Sequence, residues 1–248
     1  FSIINPKRKD NEKGFEYLCA AGVTFLVLVG LNRELRKRGF YKSLQEPNLI
    51  NFVDLVALAT VCDVVPLQGL NRVMVKRGIT VMQERKNIGI RSLSDVSNLN
   101  SPPDIQSLSF SLGPRINAGG RIGNSKLGVN LLIESNQDKA NEIAIKLDSL
   151  NNKRKLLTAH VESEAIGMVE NEVIKNNGNI PRVIIVSSED WHEGVIGIVA
   201  GKLKDKYKRP TCVISIKDDI CKGSGRSIEN ISLGNLFHEA MKENILIK

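Results

Sequence analysis

The stretch RVIIVSSEDWHEGVIGIVAGKLKDKYKRPTCVISI, residues Arg182 to Ile216, decides the fold class. "RVIIVSS" is a short apolar run of the kind that forms a buried strand, "GVIGIVAGKLKDKYK" reads as a helix, and "PTCVISI" reads as a second strand. Strand, helix, strand over this interval implies a sheet flanked by helices, an α/β architecture. Further on, "CKGSGRSI" (Cys221–Ile228) reads as a loop leading into a strand, and "SLGNLFHEAMKE" (Ser232–Glu243) as a helix.

At the entrance of the first of these helices the chain places its single tryptophan, Trp191, beside His192, one of only three histidines, with Glu193 next. A helix starting near Gly194 aims its free N–H groups and the positive end of its dipole at these residues, which favours an anion there. His192 can then donate to a phosphate oxygen or carry a proton. The plainer reading makes Glu193 a complement to the dipole, Trp191 a core filler and His192 a loop cap. His160 and His238 read as ordinary surface or packing histidines.

Working upstream, apolar residues recur at intervals of three and four from Asp138 to the glycine at 178, a long helical pattern. A single helix of that length usually links parts of a protein, so a domain boundary is placed within it. "NLNSPPDIQSLSF" (Asn98–Phe110) is a loop marked by Pro102 and Pro103. "NRVMVKRGITVMQERK" (Asn71–Lys86) is a basic helix, and Phe15 to Lys37 is helical, stopped by a basic turn and Gly39. "NFVDLVALATVCDVVPL" (Asn51–Leu67) is an apolar run with Asp54 and Asp63 embedded in it.

The bulk numbers set the frame for these elements. With 248 residues, 42% hydrophobic and 25% charged, the chain fits a soluble globular protein with one large domain or two ordinary ones. No apolar run is long enough to span a membrane. A net charge of +8 and a pI near 9.3 favour a polyanionic partner, because a basic surface neutralises phosphates and releases their counterions. The four cysteines, Cys19, Cys62, Cys212 and Cys221, stand singly without a CxxC pair, which suggests reduced core thiols in the cytoplasm. No secretory signal is visible, and a beginning at Phe1 without an initiator methionine reads as a fragment or a processed chain.

Three stretches have the chemistry to meet a polyanion. "GPRINAGGRIG" (Gly113–Gly123) combines Arg115, Asn117 and Arg121 with glycines that let backbone approach a ligand, and arginine forks match phosphate oxygens. So glycine-rich a segment is expected outside the core, and the plainer reading is a surface turn with solvated arginines. "KGSGRS" (Lys222–Ser227) repeats the logic, with Ser224, Ser227, Arg226 and freed N–H groups forming an anion nest. Walker A and G-x-G-x-x-G spacings are absent. Asp63 ends a run whose neighbours Val61, Cys62, Val64 and Val65 are predicted to be buried, so its carboxylate needs donors or a cation. A divalent metal would serve, although one Asp does not make a metal site.

In that order, "DLVALATVCDVVPL", "LGPRINAGGRIGNS", "WHEGVIGIVAGKL" and "KGSGRS" resemble the RecJ single-strand-specific DNA exonucleases of the DHH phosphoesterase superfamily, along nearly the whole chain. The opening "INP" and "LCAAGVTF" also fit. The resemblance implies the end of a DHH-type α/β domain over residues 1–90. The arginine motif and a long connecting helix would follow over 91–178, and a smaller, truncated DHH-associated α/β domain over 179–248, with the DNA-cleaving site between the domains.

The activity implied is 5′→3′ exonuclease action on single-stranded DNA in repair and recombination, releasing 5′-mononucleotides by hydrolysis at a two-metal Mn²⁺ or Mg²⁺ site. Asp63 would be a metal ligand. Arg115, Asn117 and Arg121 would hold phosphates beside the metals. His192 would polarise the scissile phosphate, and Ser224 with Arg226 would hold the terminal 5′ phosphate. Trp191 would remain a packing residue. A helicase and a single-strand-binding protein would be partners, with no membrane involved.

The family's aspartate pair and DHH triplet, which supply most metal ligands, are expected upstream of "FSIINP", and its glycine-glycine-histidine motif beyond "ENILIK". The fragment alone is therefore expected to bind metal poorly and to be inactive. Two competing readings are a DHH-family phosphodiesterase of short RNA or cyclic dinucleotides and a non-catalytic nucleic-acid-binding module. Few aromatic residues argue against a dedicated single-strand binder.

Overall fold

The computed structural model describes residues 3–10, 14–99, 101–218 and 220–245, so the first two residues of "FSIINP" and the last three of "ENILIK" lie outside the described residues. The chain divides into two compact units, Phe1–Gly120 with Asn124–Ser149, and Arg121–Gly123 with Leu150–Lys248. Among the described residues of the first, all regular structure is helical.

That unit begins with α1, Ala20–Lys37, where the Cys19 thiol caps the helix by accepting from the Gly22 N–H. Basic Arg36 and Lys37 fill its last turn, and Gly39 turns the chain at φ 74°. Its centre is α2, Val53–Cys62, which is apolar on nearly every face and is buried accordingly. Around it pack α3 (Gly69–Gln83), α4 (Ile88–Val96), α7 (Lys126–Ile133) and the start of α8, the 39-residue helix Gln137–Lys175. Ala57, Leu58, Val75, Leu93, Leu131 and Leu147 belong to the resulting core.

Two sequence-based expectations for this unit are corrected. Much of the segment read as a loop around Pro102 and Pro103 is helical: Asp104 and Ser107 form a reciprocal capping box on α5, Ile105–Ser107, and a π-helical turn, Leu108–Leu112, runs on into α6, Gly113–Ile122. The glycine- and arginine-rich motif is therefore mostly α6, with Gly113, Ala118 and Gly119 buried. A Cβ on Gly113 would lie 2.5 Å from the Cys62 sulfur. That glycine serves close helix packing.

The second correction concerns the acids of α2. The helix ends at Cys62, Asp63 is its exposed C-cap, and Val64 adopts φ 54° with 87% of its surface exposed. A left-handed residue at that position turns the chain outward, so Val61 is buried but Asp63 and Val64 are not. The buried carboxylate is Asp54, 2% exposed, with Oδ1 accepting from the Leu55 N–H at 2.7 Å. Burial raises the Asp54 carboxyl above its ordinary value of 3.8, against the opposing effect of that hydrogen bond. A raised folded-state pKa makes the ionised form a burden that grows as pH rises through the carboxylate range. Asp54→Asn is thus expected to stabilise the protein at pH 7, where the buried carboxyl would otherwise be ionised. The gain should vanish below the ordinary carboxylate value, and paired urea denaturation at pH 7 and pH 3.5 measures it.

Of the cysteines, Cys19 is buried, and Cys62 and Cys212 are half-buried. Cys62 is pushed up to about 11 by burial and by the charge of Asp63. Cys221 departs from the core-thiol reading, being exposed on a strand with a bare outer side.

The second unit carries a three-stranded sheet of order β1-β2-β3. β1 (Ile184–Ser188) runs parallel to β2 (Thr211–Lys217), joined by α9 (Glu193–Tyr207), and β3 (Ile220–Arg226) pairs antiparallel to β2. Ile184, Val186 and Val213 point to one face, where they meet Val195 and Val199 of α9 and Val161, Ala165 and Val169 of α8. α10, Leu233–Lys242, is capped by Ser232. The "KGSGR" segment is corrected from a loop to part of β3, in register from Lys222 opposite Ser215 to Arg226 opposite Thr211. The ladder with β2 holds this segment extended and engages alternate backbone groups, so the groups it presents to α9 are the side chains of Ser224 and Arg226.

Candidate functional site

After β1 the chain turns through Glu189 and Asp190 into Trp191, which is 2% exposed. The Trp191 indole N–H donates to Glu164 Oε2 at 2.7 Å, and the Ser215 hydroxyl donates to the Trp191 carbonyl at 2.5 Å. His192 is the N-cap of α9, with φ −77° and ψ 124°, and its Nδ1 accepts from the Gly194 N–H at 3.0 Å. An accepting Nδ1 places the proton of the neutral imidazole on Nε2. The exposed edge of the ring is thus a donor at the positive end of the helix.

Glu193 is exposed and pairs with Lys222 of β3 at 2.5 Å, a hydrogen bond that holds its carboxyl below the usual range. Ser224 and Arg226 follow Lys222 at alternate positions, so all three share one strand face. That face lies against α9: a Cβ on Gly197 would sit 3.0 Å from Ser224 Oγ and 3.2 Å from Arg226 Nη2. On the same helix face, three residues earlier, the Gly194 carbonyl accepts from Arg121 Nη1 at 3.3 Å. Arg121 and Arg226 therefore lie along the first two turns of α9, and neither has a carboxylate partner among the described residues. A cleft of about 520 Å³, lined by Trp191, His192, Ser215 and Lys222 and also by the carboxylates of Glu189, Asp190, Glu193 and Asp218, opens where β1 and β2 end. The carboxyl ends of parallel strands are the usual ligand side of an α/β sheet.

Arg154, unremarked in the charged sequence of α8, adds to this positive field. Burial and then the charge of Arg121 lower its pKa from the ordinary arginine value. Its Nε and the Nδ2 of Asn151 are buried without a partner. A lone arginine in a lysine-rich helix gives no sequence signal; only tertiary packing brings it to Arg121.

The other candidates lie in the first unit, where they are less alike than the sequence suggests. Arg115 is committed internally, with Nε donating to Asp148 at 2.8 Å and Nη1 to the Ser111 carbonyl and hydroxyl at 2.9 and 3.0 Å. Asn117 is exposed and lines, with Cys62, Val64 and Pro114, a cleft of about 230 Å³ beside the turn that holds Asp63. Among the described residues no group of three or more His, Cys, Asp or Glu is arranged to hold a metal ion, and Asp63 offers a single carboxylate. Among the same residues no helix is long and apolar enough to cross a membrane.

Residues 181–244 match the DHHA1 domain family. The chain is 35% identical over 254 residues to the single-stranded-DNA-specific exonuclease RecJ of Haemophilus influenzae, a match that covers all of this chain and 44% of that protein. With RecJ of Dickeya dadantii the identity is 37% over 237 residues, covering 94% and 41% of the two chains. The chain thus spans less than half the length of these curated relatives. A crystal structure of exonuclease RecJ bound to manganese superposes with a TM-score of 0.77 at 27% identity, covering 98% of this chain and 56% of that one. RecJ from Thermus thermophilus in complex with Mn²⁺ superposes at 0.75 with the same 27% identity, covering 92% and 31%.

Proposed function

We propose, for a chain homologous to the RecJ exonucleases along its whole length, that it belongs to an enzyme degrading single-stranded DNA from the 5′ end into 5′-mononucleotides. The observation that carries the reading is the strand face of Ser224 and Arg226 lying against α9 at Gly197, one turn in from its start, with the His192 donor at its entrance. A terminal phosphate has more charge and more free oxygens than an internal one, so a guanidinium fork, a hydroxyl and a helix N-terminus together favour the end of a strand. Arg121, with Arg154 behind it, would hold a neighbouring phosphate, and Asn117 would be a phosphate contact within its own unit. Arg115, tied to Asp148, would support its motif from within.

Mn²⁺ or Mg²⁺ would supply the hydrolytic centre, with Asp63 as one ligand; the described residues do not by themselves make such a centre. The setting would be the cytoplasm. A helicase that exposes single strands and a single-strand-binding protein are the partners such chemistry calls for.

Binding of 5′-phosphorylated and 5′-hydroxyl oligodeoxynucleotides, compared by fluorescence anisotropy, tests the reading. The phosphorylated strand should bind more tightly, and Arg226→Ala should cost about 10- to 100-fold on that strand alone, the worth of a charge-assisted hydrogen bond or two. Equal affinity for both ends would overturn the proposal. With Mn²⁺, degradation of long DNA supports the exonuclease, whereas cleavage limited to RNAs of a few nucleotides supports the short-RNA phosphodiesterase.

A further inference from the structure

We propose that Glu164 of α8 is a positioning residue for His192, acting through the indole of Trp191; this rests on the reading of His192 as a phosphate donor. The contacts form a continuous path. Glu164 Oε2 accepts the Trp191 indole N–H at 2.7 Å, a link across 27 residues of sequence, while Oε1 faces His160 Nε2 at 3.5 Å. The Glu164 side chain is 42% exposed, so its charge stays partly hydrated while one oxygen reaches the edge of the core.

Trp191 is held at both of its polar ends. Its ring packs in the cluster of Val161, Ala165, Val195 and Val199, its N–H is bound by Glu164, and its carbonyl is bound by the buried Ser215 hydroxyl. A buried indole N–H needs a partner, and removal of Glu164 takes away the acceptor it has. The residue after this doubly held tryptophan is His192. Its cap geometry, with Nδ1 on the Gly194 N–H, decides that Nε2 carries the proton and faces outward. A tryptophan free to swing would release that geometry and mix the two imidazole tautomers.

Proton–nitrogen correlation spectra of ¹⁵N-histidine read the tautomer directly, and with three histidines assignment is simple. In the wild-type chain neutral His192 should be in the Nε2–H form. Glu164→Gln retains an oxygen acceptor for the indole and should keep both the tautomer and the affinity for a 5′-phosphorylated oligodeoxynucleotide. Glu164→Ala should mix the tautomers and lower that affinity about fivefold, the worth of one hydrogen bond. Trp191→Phe should match Glu164→Ala, and adding Glu164→Ala to it should change nothing further. An unchanged His192 spectrum in Glu164→Ala, or an equal loss in Glu164→Gln, would overturn the proposal. If Glu164→Ala fails to fold, the spectrum of Trp191→Phe decides, an unchanged tautomer counting against it. A wild-type chain indifferent to the 5′ phosphate would refute the functional reading alone, since the tautomer comparison needs no ligand.

Discussion

Gly194→Ala is expected to destabilise the protein by about 3 kcal/mol or more, as overpacking against rigid atoms and loss of a helix cap add. A Cβ at this position would stand 2.1 Å from the Arg121 carbonyl oxygen, 2.9 Å from its carbon and 3.1 Å from His192 Nδ1. The first two are backbone atoms and no rotamer relieves them. Either the first turn of α9 or the segment Arg121–Gly123 must move, and both carry the donors described above. The preference for a 5′-phosphorylated strand should therefore fall together with the midpoint of urea unfolding. Gly201→Ala, in the same helix, is the control: nothing lies within 4 Å of its added Cβ, and alanine is the better helix former. A loss below about 1 kcal/mol in Gly194→Ala would mean that these backbones part easily.

Gly89→Ala should cost a similar amount, about 3 kcal/mol, in the first unit. Its Cβ would meet the Leu131 carbonyl oxygen at 2.0 Å, the Leu131 carbon at 2.7 Å and Leu132 Cα at 3.2 Å. Here α4 lies on the backbone of α7, and the contact is closed on both sides. Asn87 caps α4 by accepting the Ile90 N–H at 2.9 Å and also donates to the Leu132 carbonyl at 3.4 Å. Ile90, Leu93 and Leu131 are each 3% exposed or less, so α4 has no space into which to shift. Thermal and urea unfolding of the isolated variant read the loss. No change in either would show that α4 and α7 can separate without cost.

The α/β alternation after Pro181, the long helix and the helix start at His192 are all legible in the sequence. Each rests on local rules: apolar period, strand-sized runs bounded by turn residues, and a polar residue ahead of a helical run. The resemblance to RecJ exonucleases is equally legible, because it resides in the order of short motifs. The KGSGR segment reads as a loop since its glycines disfavour a strand locally; pairing with β2 overrides that preference. The glycines of GPRINAGGR point to ligand approach, whereas Gly113 is needed by the sulfur of Cys62, a residue from a different helix far earlier in the chain.

By itself the sequence determined the class of fold, the family resemblance and the residue types able to meet a phosphate, because these follow from local periodicity and short motifs. Only the tertiary structure decided how those residues are employed. It buried Asp54 and exposed Asp63, tied Arg115 to Asp148, joined Arg154 to Arg121, and bound Trp191 to Glu164. The physical reason is that burial and charge pairing depend on which distant atoms share a contact, and such contacts leave no periodic trace along the chain.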